Sequence, residues 1–124
     1  MTQARAVSTN SVQQDFPYDG LTAGAIFVRQ FADKFIDVTY AITKGQLMCG
    51  PVSCKVRVRF DDGPPVSFRA VPSDSGSLNL INITDTKRFL RQARNAKTIR
   101  IQASMYKAGA PVMHFNLPTP LKMQ

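Results

Sequence analysis

Few side chains in this sequence are equipped for chemistry. Cys49 and Cys54, its only cysteines, enclose Gly50-Pro51-Val52-Ser53. Four residues lie between them, so they lack the C-x-x-C spacing of a redox pair. With the single histidine, His114, they do not complete a four-ligand zinc site. Joined as a disulfide they would mark an oxidising compartment, where such bonds persist. Left as two reduced thiols they would suit a cytosolic protein.

His114 alternates with Met113 and Phe115, which puts it on a sheet face or edge. No acid or nucleophile lies beside it to make it a general base. Asp61 and Asp62 are adjacent, so their carboxylates diverge on a turn. Ser73-Asp74-Ser75-Gly76-Ser77 lacks the flanking glycine and the strand-to-helix setting of a nucleophile elbow. These readings point away from an enzyme, and the expectation is no cofactor and no metal.

The cations have a pattern. Lys55, Arg57 and Arg59 alternate with Val56, Val58 and Phe60, which makes one face of that strand wholly cationic and the other apolar. Arg69 and Arg100 lie on other strands, and Arg88, Arg91 and Arg94 line the polar side of a helix. Converging, these eight residues would form a basic surface able to hold the phosphates of a nucleic acid or of lipopolysaccharide, or an acidic protein. A nucleic-acid surface would interleave aromatic rings for stacking. Phe60 and Phe68 instead have core parity, and Tyr106 alone has outward parity.

Period-2 alternation positions these groups. Ile36, Val38, Tyr40 and Ile42 form one strand ahead of the cysteine loop, and Cys54 to Phe60 form the next. The spacing predicts that the two pair antiparallel, which would set Cys49 and Cys54 opposite each other at a separation a disulfide accepts. Asp61-Asp62-Gly63-Pro64-Pro65 then turns the chain into a strand carrying Val66, Phe68 and Ala70. Ala25 to Gln30 and Leu78 to Ile83 read as further strands. Thr98 to Tyr106 and Val112 to Leu117 make a C-terminal hairpin across Lys107-Ala108-Gly109-Ala110-Pro111. From Asp85 to Ala96 the rhythm changes. Phe89, Leu90, Ala93 and Ala96 fall at helical spacing, with Thr84 or Asp85 as N-cap.

The expected fold is mainly β, α+β by strict count: an antiparallel sheet or β-sandwich of about seven or eight strands with one amphipathic helix. The 124 residues suit a single domain, 1–124, with 1–14 a flexible or edge segment. Sixteen Lys and Arg against eight acids give a net charge of +8, which favours acidic partners. All the acids are Asp, consistent with strands and turns over helices. No run approaches the length of a membrane-spanning helix. Met1 to Val12 lack an apolar signal region, so any export leader is expected to have been removed ahead of residue 1.

Several stretches together carry a resemblance. They are Asp15-Phe16-Pro17-Tyr18, Lys44-Gly45-Gln46-Leu47-Met48-Cys49, Cys54-Lys55-Val56-Arg57-Val58-Arg59-Phe60-Asp61-Asp62-Gly63, Phe89-Leu90-Arg91-Gln92-Ala93 and His114-Phe115-Asn116-Leu117. In these the chain resembles a family of small uncharacterised exported proteins of proteobacteria, periplasmic or lipoprotein-like. The resemblance implies a leader upstream, a periplasmic or cell-surface address and a Cys49–Cys54 disulfide, and it implies no particular reaction. The tail departs from the pattern, with Pro118-Thr119-Pro120-Leu121 where such proteins finish on a Gly-Leu pair and an aromatic.

The functional expectation is a non-catalytic exported protein, periplasmic or extracellular, that binds a partner or an anionic envelope component and serves as a surface antigen. The alternative is a cytosolic nucleic-acid-binding protein that uses the same basic surface.

Overall fold

In the computed structural model, residues 2–15 and 17–117 are described. Phe16 and the tail from Pro118 to Leu121, both quoted above, lie outside them. Ten strands and one helix follow in order: β1 Thr2–Val7, β2 Val12–Gln14, β3 Gly20–Thr22, β4 Gly24–Gln30, β5 Ile36–Ile42, β6 Cys54–Phe60, β7 Val66–Pro72, β8 Leu80–Ile83, α1 Thr86–Ala93, β9 Thr98–Gln102 and β10 Val112–Asn116.

Eight strands form one sheet in the order β1-β4-β5-β8-β7-β6-β9-β10, and every pairing is antiparallel. The fold is mainly β, as the alternation implies. Of the two forms expected, sheet or sandwich, the chain adopts a single sheet that curls until it is nearly a barrel. β2 and β3 pair separately as a small hairpin. Thr2–Val7, within the segment expected to be flexible or at an edge, pair with β4 along their whole length.

The inward residues form the core. Ile26 and Val28 of β4, Val38, Tyr40 and Ile42 of β5, Val56 and Val58 of β6, Phe68 of β7, and Ile99 and Ile101 of β9 are all buried. They are β-branched or aromatic at every second position, the composition that packs on a pleated face. Of the outward residues of β6 and β7, Lys55, Arg57, Ser67 and Arg69 are exposed and Arg59 is half-buried.

Helix α1 closes one end. Asp85 caps it by accepting from the Arg88 N–H at 3.2 Å. Phe89 and Ala93 are buried, and the Phe89 ring packs edge-on against Phe60 and Phe68 at centroid distances of 5.5 and 5.6 Å. Residues 43–49 cover the opposite end, where Leu47 is buried and bridges Met105.

One expected pairing is corrected. β5 pairs with β4 and β8, and β6 pairs with β7 and β9, so β5 and β6 are not neighbours. The chain between them crosses the end of the sheet, held by Met48 N donating to Ser104 O and Tyr106 N donating to Gln46 O. Cys49 and Cys54 are joined as a disulfide with Cα atoms 4.8 Å apart. The bridge ties this crossover to the first residue of β6 and does not pin a hairpin.

Candidate functional site

Strand register assembles a cationic face. β6 contributes Lys55, Arg57 and Arg59, which point outward because Val56 and Val58 are buried. On one side β7 sets Arg69 directly opposite Lys55, and Ser67 opposite Arg57. On the other side β9 sets Arg100 opposite Arg59, and Gln102 opposite Arg57. β10 extends the rows, with His114 opposite Arg100 and Val112 opposite Gln102. Lys55, Arg57, Arg59, Arg69 and Arg100 therefore share one surface.

Two of these pairings, Lys55 with Arg69 and Arg59 with Arg100, set like charges face to face. Directly opposed side chains on adjacent strands lie about 5 Å apart at Cβ, where like charges destabilise the sheet. Among the described residues the ion pairs are Arg29–Asp37 and Arg88–Asp85, so no carboxylate neutralises this face. Arg59 is oriented by donation from its Nε to the Gly63 carbonyl at 2.8 Å. A cleft of about 350 Å³ opens among Arg57, Arg59, Arg100 and His114, with Pro65 and Val112 as apolar walls.

The helix arginines have other positions. The Arg88 guanidinium stacks 4.0 Å from the centroid of the Phe68 ring, and one terminal nitrogen donates to Ser67 O at 2.7 Å. β8 pairs with β7 only from Ala70 to Pro72, so at Ser67 the arginine does what a strand would have done. Its Nε is buried 3.2 Å from Asp85 Oδ2 without hydrogen-bond geometry. Arg88 thus fastens α1 to the sheet. Arg91 and Arg94 are exposed on the helix, outside the strand register that aligns the other five cations, and Arg91 complements the negative end of the helix dipole.

Asp61 adopts φ 51°, in the left-handed region that Asp tolerates. Its Oδ1 accepts from Lys97 N at 2.8 Å and Thr98 N at 3.0 Å. Those two backbone donors hold its carboxyl below the usual aspartate range. The group thereby joins the β6–β7 turn to the start of β9. Burial pushes the Tyr40 phenol well above its ordinary value, in keeping with a core role.

Among the described residues, no three His, Cys, Asp or Glu side chains cluster to hold a metal ion. No helix there is long and apolar enough to cross a membrane. The disulfide is compatible with an oxidising, exported compartment. His114, Pro65 and Val112 were not singled out as parts of a binding surface from sequence. His114 could have been, because it has the outward parity on the partner strand of Arg100. No family model, curated protein or solved structure matches this chain.

Proposed function

We propose that this protein is a non-catalytic, exported binding domain, periplasmic or extracellular, whose β7-β6-β9 face holds a phosphate-bearing component of the cell envelope. The observation that carries this reading is the opposition of Lys55 to Arg69 and of Arg59 to Arg100 with no acid among them. Such a face costs the free protein stability. A polyanion removes that cost and releases its own counterions on binding. The disulfide supports the exported address.

The nucleic-acid alternative rests on the same charge and has less behind it. Phe68 is buried, and Phe60 packs against Phe68 and Phe89, so neither ring is offered to a base. The test is binding to vesicles carrying a bisphosphorylated lipid, against zwitterionic vesicles, across a salt series. Binding that is selective for the anionic vesicles and falls steeply with salt is expected, with Arg59→Gln and Arg100→Gln each lowering the salt slope. Equal affinity for both vesicles overturns the reading. Tighter binding to a single-stranded oligonucleotide would replace it with the alternative.

A further inference from the structure

Farther along the strand order, the outer surface of β4, β5 and β8 carries a groove of about 550 Å³. One row of side chains crosses it: Phe27 lies opposite Thr39, and Thr39 opposite Asn82. The ion pair of Arg29 with Asp37 stands at one end, and Ser73 and Asp74 of the β7–β8 loop line a wall.

Phe27 has no structural task that explains its size. It sits between the buried Ile26 and Val28 with outward parity, is half-buried, and belongs neither to the core nor to the apolar residues packed against it. A large ring left on an outer sheet face, in a groove, is a surface for something else.

The polar groups around it are fixed. Arg29 grips Asp37 in a forked pair, Nε to Oδ1 at 3.0 Å and a terminal nitrogen to Oδ2 at 2.6 Å. The two charges cancel, yet further guanidinium N–H groups and carboxylate lone pairs stay uncommitted. Thr39 Oγ1 donates to Asn82 Oδ1 at 2.8 Å, which orients that amide and leaves its Nδ2 donors unused among the described residues.

We infer that this groove binds a neutral oligosaccharide. A pyranose has an apolar C–H face, which suits the Phe27 ring, and rim hydroxyls that each donate and accept, which suits the planar Arg29–Asp37 pair and the Asn82 amide. An anion is disfavoured because Arg29, the one cation lining the groove, is already paired with Asp37, and Asp74 lines the wall. An acyl chain is disfavoured because it would cover the groove's polar groups without pairing them. The volume lies within the range of small-ligand sites. The site is separate from the cationic face, so either can fail without the other.

The test is a titration of the intact, ¹⁵N-labelled protein with maltotriose, cellotriose and chitotriose, followed by amide NMR. At least one sugar is expected to shift the amides around Phe27, Thr39 and Asn82, with an affinity that salt does not change. Phe27→Ala and Asn82→Ala should each weaken binding by about tenfold, equivalent to ~1.4 kcal/mol. Phe27 lies outside the core, so its variant folds; Asn82→Ala supplies an independent check. Arg57→Gln on the cationic face should leave the affinity unchanged. No shifts with any of the three sugars at tens of millimolar, or an affinity that Phe27→Ala leaves unchanged, overturn the inference.

Discussion

Asn10 accepts a hydrogen bond through its Oδ1 from the backbone N–H of His114 at 2.8 Å, and its Nδ2 donates to the Val112 carbonyl at 2.9 Å. One side-chain amide thus reproduces the two bonds that a residue of a neighbouring strand would make. Thr9 N adds a bond to the His114 carbonyl at 2.7 Å. Because β1 and β10 are the two ends of the strand order, these contacts close the sheet where no ladder does. Asn10→Ala should cost about 1–2 kcal/mol, since it removes both bonds and leaves their β10 partners to solvent. Hydrogen exchange at the His114 amide should accelerate more than exchange at Ile101; equal acceleration at both would show that the seam does not open locally.

Reducing the Cys49–Cys54 bridge should cost about 2 kcal/mol, because so short a ring removes little entropy from the unfolded chain. Leu47 and the Met48–Ser104 bond hold the crossover independently. The reduced protein should therefore melt at a lower temperature with its strand spectrum intact. Outright unfolding at room temperature on reduction would contradict this.

Asp61 sets a dependence on acid. Its folded pKa is depressed, so its stabilising contribution is complete above the usual aspartate range and is lost as pH falls toward the lower folded value. Asp61→Asn keeps an acceptor and tolerates the left-handed backbone. Its melting temperature should lie below wild type at neutral pH, and the gap should close on acidification. A gap that persists at strongly acidic pH would rule out the carboxylate charge as its source.

Arg59→Gln removes one half of an opposed like-charge pair and should stabilise the free protein by a few tenths of a kcal/mol, up to about 1. The gain should shrink in high salt. Loss of stability at low salt would show that the Arg59–Gly63 hydrogen bond outweighs the repulsion.

Much of this architecture is legible in the alternation. Lys55, Arg57 and Arg59 show their parity directly, and the Asp61-Gly63 turn announces the β6–β7 hairpin, because both signals are local. The separation of β5 from β6 is not legible. Alternation reports which side of a strand is buried and says nothing about its neighbour, so the crossover over Leu47 reads as a hairpin loop. β1 is faint for a related reason: its inward residues are Ala4 and Ala6, too small to contrast with Gln3 and Arg5. The cationic face could be listed residue by residue, but whether its members meet depends on register among β7, β6 and β9. Arg88 looked equivalent to Arg91 and Arg94. Only the unpaired Ser67 carbonyl shows why it turns inward. For the groove, the outward parity of Phe27 was the available signal.

Rows of unneutralised cations on a rigid sheet also govern how copies of this molecule behave at high concentration. Two such surfaces repel when they approach, and the repulsion reaches roughly 10 Å at moderate ionic strength. Colloidal contacts should therefore form through the remainder of the molecule, where Val7 and Leu21 stand exposed. A multivalent counterion such as polyphosphate would reverse that preference by bridging the repelling surfaces, so clouding on its addition and clearing with salt would be the bulk signature of this charge layout.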